Sequence, residues 1–287
     1  MSDSAWPFGA LGIPPARILS VPGRGEFFIR DSGGSGTPLL LLHGWMFSAD
    51  LNWGLSYQPL AAAGYRVIAM DHRGHGRGLR SRAPFRLADC AADCAAVLRE
   101  AEAPGALAVG YSMGGAIAQL LAHEHRSSVA GLVMCATSAR FDSPLMKRTW
   151  RAMPALRVAL GLGGVVAWER TLVQMGFPKD VRSQWVAAEL SRGSAADIAE
   201  SGRELGRHNV SSLLSEIHKP AASVITTRDK SVPTSFQRDL AAGLKAEVFE
   251  LEADHMASAT HTEKFNRVLL EAIESVERSI AALKAPA

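Results

Sequence analysis

The 287-residue sequence predicts a doubly wound α/β fold with a mostly parallel sheet and an inserted helical lid. Short apolar runs alternate with longer helical patterns, and this alternation is typical of right-handed βαβ units. Most of the runs are continuously apolar, as expected for strands that are buried on both faces of a parallel sheet. The alternation is interrupted between about residues 139 and 219, which favours a helical insertion between two strands of one sheet.

Eight segments of the sequence have the length and composition of strands. Ala16–Ser20 and Glu26–Arg30 come first, and we expect them to form an antiparallel pair. A turn rich in Gly, over residues 31–38, separates this pair from the remaining strands. The other six are the short apolar runs of the predicted parallel sheet: Leu39–Leu42, Val67–Met70, Ala106–Val109, Val129–Cys135, Ser223–Thr226 and Glu247–Leu251.

Helical patterns fill the gaps between these strands. The spacing of apolar residues predicts helices over Gln58–Ala63, Asp89–Glu100 and Met113–Glu124. A C-terminal helix is expected to begin at Thr260, because Thr260 and Glu263 form the capping-box pattern that often starts a helix.

The composition excludes several classes of protein. Hydrophobic residues make up 47% and charged residues 21%, a globular balance that excludes disordered and fibrous chains. Three cysteines without a C-x-x-C pair argue against a disulfide framework or a zinc site, and favour a reducing compartment. A net charge of +3 is too small to indicate nucleic-acid binding. Without a signal-peptide pattern or an apolar run of bilayer length, the chain is expected to be cytoplasmic.

The sharpest chemical signal is the G-x-S-x-G sequence from Gly110 to Gly114, which follows a predicted strand and precedes a predicted helix. Such an abrupt turn strains the central residue and crowds the positions two before and two after it, so that both are Gly. The turn raises the Ser112 hydroxyl above the sheet edge, at a helix N-terminus that favours developing negative charge. We therefore predict that Ser112 is a nucleophile.

A serine hydroxyl needs a base before it can act as a nucleophile. Among the nine histidines, His255 follows the last predicted strand, and Asp229 follows the strand before it. The chain order Ser112, Asp229, His255 is the one expected when the nucleophile lies on such a turn. All three lie beyond the C-terminal ends of strands, where open α/β sheets build their sites. We predict that they form a catalytic triad.

Four motifs together resemble those of the α/β-hydrolase family. They are the strand and loop Leu39–Trp45, the D-x-R-G-x-G loop Asp71–Gly76, the turn Gly110–Gly115, and the acid loop from Asp229 to Pro233. The resemblance runs from about Glu26 to about Ala282. One departure is that Asp254 precedes His255, where the family often has Gly. We expect Asp254 to be exposed or to cap the chain locally.

The resemblance also implies further site residues. The backbone N–H groups of Met113 and Trp45 are the implied oxyanion hole. His43 is interpreted as holding the oxyanion loop rather than acting as a base. No metal and no organic cofactor is expected. The Gly-rich segments do not fit the dinucleotide-binding pattern. Asp71, His72 and His75 could suggest a metal site, but the family's loop pattern explains them.

The predicted helical lid, residues 139–219, divides the core into residues 1–138 and 220–287. From Arg140 to Arg182 it carries eight basic residues against three acidic ones. Such a patch would attract anionic lipid or acidic substrates, but we favour the simpler interpretation of solvated arginines. Its apolar side chains are expected to form the lid core and an apolar acyl pocket: Trp150, Leu156, Val165, Trp168, Phe177 and Trp185.

The function predicted from these residues is that of a serine hydrolase, which cleaves a carboxylic ester or thioester through an acyl-enzyme. The expected partner is a small, apolar acyl compound, and the oligomeric state is left open. The same triad fits cofactor-free haloperoxidase or perhydrolase chemistry and C–C bond hydrolysis. The alternative from another class is a ligand-binding receptor or scaffold that retains vestigial hydrolase activity.

Overall fold

An eight-stranded sheet forms the centre of the computed structural model, which describes residues 13–174 and 178–284. In chain order the strands are β1 (Ala16–Val21), β2 (Gly25–Asp31), β3 (Pro38–Leu42), β4 (Arg66–Met70), β5 (Ala106–Tyr111), β6 (Val129–Cys135), β7 (Ala221–Thr226) and β8 (Glu247–Leu251). They lie side by side in the order β1-β2-β4-β3-β5-β6-β7-β8. β1 and β2 are antiparallel to their neighbours, and β3 to β8 are parallel. The predicted mostly parallel sheet is confirmed, and every predicted strand lies within an observed one.

Helices flank this sheet. In the described residues they are α1 (Ala49–Trp53), α2 (Tyr57–Ala62), α3 (Leu87–Glu100), α4 (Met113–Glu124), α5 (Pro144–Arg151), α6 (Met153–Gln174), α7 (Val181–Ser191), α8 (Ala195–Arg207), α9 (Thr234–Leu244), α10 (Ala257–Thr260) and α11 (Thr262–Lys284). The prediction for α4 matches both ends, and those for α2 and α3 are within two residues.

The start of the C-terminal helix was predicted wrongly. Thr260 closes the short helix α10, and its hydroxyl donates to the carbonyl oxygen of Met256 at 3.1 Å. That hydroxyl therefore does not cap α11, which begins at Thr262. The chain makes an additional helical turn just after the last strand, and a local capping pattern cannot reveal this turn.

The alternating side chains of the strands explain why their sequences are continuously apolar. In β3, Leu40 and Leu42 belong to the core beneath α3 and α4, whereas Leu39 and Leu41 belong to the core beneath α1, α2 and α11. All four leucines are fully buried. A strand covered on both faces has no solvent-facing positions, so it lacks the polar alternation of a half-exposed strand.

Four helices, α5 to α8, lie in the chain between β6 and β7, which are parallel neighbours in the sheet. The part of the chain described here contains no helix that is both long and apolar enough to cross a bilayer. Because the carboxyl ends of β5, β6, β7 and β8 point to one edge, the loops that follow them meet there.

Candidate active site

The turn between β5 and α4 holds Ser112 in a strained conformation, with φ +51° and ψ −115°. Non-glycine residues rarely adopt positive φ, so the surrounding structure must impose it. A Cβ at Gly110 would lie 2.5 Å from the carbonyl oxygen of Gly114, and one at Gly114 would collide with that of Leu42. Both positions therefore require Gly, as the sequence pattern indicates.

Hydrogen bonds to the backbone of Ser112 hold this turn in place. The Ser112 N–H donates to the Cys135 carbonyl oxygen at 3.0 Å. The Ser112 carbonyl oxygen accepts from the Thr137 hydroxyl at 2.6 Å and from the Gly115 N–H at 2.9 Å. Thr137, which follows β6, also fills the space that a side chain at position 115 would need. Sequence reasoning missed Thr137, because a lone Thr after a strand has no distinguishing pattern.

His255 lies between Ser112 and Asp229. Its Nε2 is 3.0 Å from the Ser112 Oγ, and its Nδ1 is 2.7 Å from the Asp229 Oδ2. Because an ionised carboxylate can only accept hydrogen bonds, the proton of the neutral imidazole resides on Nδ1, and Nε2 accepts from the serine hydroxyl. The structure thus brings together three residues that are 143 and 26 positions apart in the chain.

Asp229 is held by donors to both carboxylate oxygens. Its Oδ1 accepts from the N–H groups of Ser231 and Val232, at 2.8 and 2.9 Å. Its Oδ2 accepts from the hydroxyl of Thr226 at 2.9 Å and the amide of Gln237 at 3.2 Å. These bonds orient the carboxylate toward His255. Gln237 is a buried site residue on α9 that the sequence analysis did not identify.

Two other carboxylates do not compete with Asp229. Asp142 pairs with Arg140 at 3.1 Å and Lys147 at 3.6 Å. Asp254 is exposed, and its Oδ1 accepts from the N–H of Met256 at 2.9 Å, as a local cap. The position before His255 therefore has the role expected for it.

Tyr111, the residue before the nucleophile, supports His255 from behind. Its hydroxyl donates to the His255 carbonyl oxygen at 2.8 Å, and the two rings are 5.9 Å apart, edge to face. This contact connects the elbow of β5 to the loop after β8. Tyr111 lies within the motif, but the sequence alone gave it no role.

The two predicted oxyanion donors lie on either side of the serine turn. Met113 is the first residue of α4, and the first four N–H groups of a helix have no partner within it. Trp45 lies in the loop after β3, and among the described residues its backbone N–H makes no hydrogen bond. The next residue, Met46, has φ +68°, a second strained non-glycine position beside the site.

The Trp45 loop is held from below and from above. Below it, His43 Nδ1 is 2.8 Å from the Gly44 carbonyl oxygen, and His43 Nε2 accepts from the His72 N–H at 3.0 Å. Above it, the Trp45 indole N–H donates to the Ile198 carbonyl oxygen of α8 at 2.8 Å. His43 thus has the loop-holding position that the sequence analysis assigned to it.

The buried histidines beneath this loop are neutral near pH 7. Burial lowers the pKa of His72 to about 3 and that of His75 to about 4, and it places the pKa of His43 well below 6.5. Burial also raises the pKa of Asp71 to about 6. Asp71 accepts from the N–H groups of Ala49 and Arg77, both at 2.7 Å, and so organises two loops. Within the described residues no cluster of acidic, His or Cys side chains has a metal-binding arrangement.

A pocket of about 280 Å³ opens beside Ser112 and His255. The part of its wall contributed by α5 and α8 includes Trp150 and Leu205. Of the other lid residues predicted to form an acyl pocket, Leu156, Val165, Trp168 and Trp185 do not line it, and Phe177 lies outside the described residues. The described lining contains no Lys, Arg, Asp or Glu and is mostly apolar: Gly44, Trp45, Phe47, Asn52, Tyr111, Ser112, Phe141, Leu145, Met146, Thr149, Trp150, Leu205, Ser231, Val232, His255 and Met256.

Comparison with known sequences identifies the family. A sequence model described as the Alpha/beta hydrolase family matches residues 39–268, which is most of the chain. The chain belongs to the α/β-hydrolase family. It is therefore an enzyme of the hydrolase class, and the resemblance inferred from its four motifs is confirmed.

Individual relatives of this α/β-hydrolase have different named activities. A pimeloyl-[acyl-carrier protein] methyl ester esterase of Chromobacterium violaceum is 31% identical over 257 residues, which cover 84% of this chain and 96% of that protein. A non-heme haloperoxidase of Rhodococcus erythropolis is 38% identical over 110 residues, 38% of this chain and 39% of that protein. The crystal structure of the enol-lactonase of Burkholderia xenovorans LB400 has a TM-score of 0.76 at 19% identity, covering 90% of this chain and 100% of that one.

Proposed function

We propose that this α/β-hydrolase cleaves a carboxylic ester or thioester of an apolar acyl group through an acyl-enzyme. The observation that carries the proposal is the continuous hydrogen-bond chain from the Ser112 Oγ through His255 to Asp229, with distances of 3.0 and 2.7 Å. A hydroxyl, a base and an orienting carboxylate in this arrangement are the parts that acyl transfer requires.

In the first step, the Ser112 Oγ attacks the substrate carbonyl carbon while its proton passes to the His255 Nε2. The Asp229 carboxylate stabilises the imidazolium through the bond to Nδ1. The carbonyl oxygen becomes an oxyanion, which accepts from the backbone N–H groups of Met113 and Trp45. Losing one such donor typically costs about 3 kcal/mol of transition-state stabilisation.

The intermediate then collapses. The bond between the acyl carbon and the leaving oxygen or sulfur breaks, and His255 returns its proton to the leaving group. Water next donates a proton to the His255 Nε2 and attacks the acyl carbon, which releases the carboxylic acid and restores the Ser112 hydroxyl. This cycle requires no metal and no organic cofactor.

The pocket wall supports an apolar acyl group as substrate. Trp150, Met146 and Phe141 line it, and no charged side chain in its described lining is available to pair with an ionised group. We propose that α5 to α8 act as a lid that supplies this wall. The relative named as a methyl ester esterase favours an ester over other acyl compounds.

A second candidate is perhydrolysis, and the match to a non-heme haloperoxidase favours it. In that reaction hydrogen peroxide replaces water as the acyl acceptor, so a peracid leaves instead of a carboxylic acid, and the peracid oxidises halide. The triad serves both reactions because only the second nucleophile differs.

The test is a panel of p-nitrophenyl esters and acyl thioesters of increasing chain length, read as kcat/KM, together with labelling by a fluorophosphonate. The expected result is one label, on Ser112, and a preference for an uncharged acyl group. Labelling without turnover of any ester or thioester would favour the receptor alternative. Peracid formation from acetate and hydrogen peroxide, exceeding ester hydrolysis, would favour perhydrolysis. Absence of labelling would contradict the proposed nucleophile.

A further inference from the structure

Helix α6 is unusual because it is long and apolar and yet mostly uncovered. Only Met153 and Leu172 are buried among its 22 residues. Val158 is 59% exposed, Leu162 85% and Val166 58%. The helix packs on α7 and α8 and is kinked at Gly164, where φ is +51°. Val158 and Leu162 lie one turn apart before the kink, and Val166 follows it. A contiguous exposed apolar surface on a folded domain usually marks an interaction site.

Cations accompany this apolar surface. Arg148 and Arg151 lie one turn apart on α5, which is followed directly by α6, and Arg157 precedes Val158. All three are exposed, and among the described residues none has a carboxylate partner. By contrast Asp142, the acidic residue nearest in sequence to α5, is already paired with Arg140 and Lys147. Within the described residues, the charges of Arg148, Arg151 and Arg157 are therefore not paired with a carboxylate.

We infer that this outer surface of α5 and α6 binds an anionic lipid surface. The surface is defined by three apolar residues and three cations: Val158, Leu162, Val166, Arg148, Arg151 and Arg157. At the interface of an anionic membrane, apolar side chains enter the boundary with the acyl chains while Arg side chains pair with the headgroups. The inference extends beyond the proposed reaction and does not depend on it.

Two other occupants fit less well. In a two-fold dimer built on this surface, the same patch would meet itself, and the three cations of each copy would face like charges. A protein partner would need a groove for a ridge in which Leu162 is 85% exposed, whereas a fluid lipid interface accommodates such a ridge. A lipid surface can accept the apolar side chains and pair with the arginines, and it needs no preformed groove.

The surface also adjoins the pocket. Leu145 on α5 is 54% exposed and at the same time lines the pocket beside Ser112. Arg148 lies on the next turn of that helix. Binding at this surface would therefore bring the pocket mouth to the lipid boundary, where apolar acyl compounds concentrate.

The experiment is sedimentation of the full chain with vesicles of phosphatidylcholine alone or with 30 mol% phosphatidylglycerol, chosen as an anionic probe. We expect binding to the anionic vesicles that weakens as salt is raised from 50 to 500 mM. Replacing Arg148, Arg151 and Arg157 by Gln should lower the partition coefficient about 100-fold. The matched control replaces Lys264, Arg267 and Arg278 on the exposed side of α11 by Gln, and it should bind as the wild type does.

Apolar insertion is tested separately. Leu162→Gln should lower binding about ten-fold, whereas Ile18→Gln, at an apolar position on β1 that is 59% exposed, should leave it unchanged. Wild-type protein that does not bind anionic vesicles would overturn the inference. Equal losses from the two triple variants would also overturn it, because binding would then report net charge alone. A dimer that Leu162→Gln dissociates, without vesicle binding, would assign the surface to a second copy.

Discussion

The two walls of the pocket are held in different ways. The core wall carries Ser112 and Asp229 on turns that follow β5 and β7, and each is fixed by hydrogen bonds to groups buried in the core. The wall contributed by α5 belongs to a pair of helices that expose most of their residues. The sheet therefore fixes the positions of the proposed catalytic residues, whereas α5 and α6 form an exposed surface beside them.

Within the insertion, α7 is anchored to the core, whereas α6 is mostly exposed. The buried Glu189 of α7 accepts from Arg77 at 2.5 and 2.9 Å, from Arg192 at 2.8 Å, and from Ser48 at 3.1 Å. Ser48 caps the N-terminus of α1, directly after the Trp45 loop. This ion network anchors α7 to the core, so the insertion has a fixed inner layer and an exposed outer one.

The largest effect is expected at the core wall. Ser112→Ala should lower kcat for ester hydrolysis about a million-fold, because no other group can form the acyl-enzyme. The melting temperature should change little, because within residues 13–174 and 178–284 the Oγ bonds only to His255. Circular dichroism melting and steady-state kinetics measure the two quantities. Activity near that of the wild type would exclude Ser112 from the mechanism.

Asp229→Asn should lower kcat about 10⁴-fold, because the amide removes the acceptor that orients and stabilises the His255 imidazolium. Asp142→Asn is the matched control, since that carboxylate pairs only with Arg140 and Lys147 among the described residues. Its kcat should remain within a factor of two of the wild type. The reverse order of effects would assign the orienting acid to the loop after β6.

The anchored layer is tested by Glu189→Gln. We expect the free energy of unfolding to fall by about 2 kcal/mol. This loss is smaller than that for a fully buried ion pair, because Arg77 and Arg192 can reach solvent. In the control, Glu252→Gln breaks the exposed pair with Arg228 and should cost less than about 0.5 kcal/mol. Urea denaturation gives both values. If the two variants lost equal free energies of unfolding, the buried ion pairs of α7 would contribute no more to stability than an exposed pair.

The buried histidines beneath the Trp45 loop predict a pH dependence of stability. The pKa of His75 is lowered to about 4 by burial, so between pH 6.5 and 4 the unfolded chain binds a proton that the folded chain does not. His75 therefore lowers the free energy of unfolding as pH falls, by about 1.4 kcal/mol per pH unit. His75→Leu should flatten this slope in urea titrations at pH 6 and 4.5, and an unchanged slope would contradict the assignment.

The smallest effect is expected where the two walls meet. Trp45→Phe removes the bond from the indole N–H to the Ile198 carbonyl oxygen, worth about 1 kcal/mol, but keeps the backbone donor. We expect a loss of about five-fold in kcat with little change in KM, because the loop positions a transition-state contact. Trp150→Phe, which loses an equivalent bond to Phe141, should alter KM instead. A change in stability alone would give Trp45 only a structural role.

Local patterns in the sequence determined the strands, the motif around Ser112 and the order of Ser112, Asp229 and His255. A strand buried on both faces must be continuously apolar, and a strand that turns at once into a helix must have Gly on either side of the turn. These requirements act over a few residues, so the sequence displays them directly.

Only the tertiary structure decided which distant groups support those residues. Thr137, Gln237 and Tyr111 contact the proposed catalytic residues across strands, and Glu189 joins the insertion to the core. The sequence also did not show that α6 is exposed, because an apolar helix has the same sequence pattern whether or not other elements cover it. Hydrogen bonds and burial depend on what another part of the chain brings near, and a periodicity of two or 3.6 residues carries no such information.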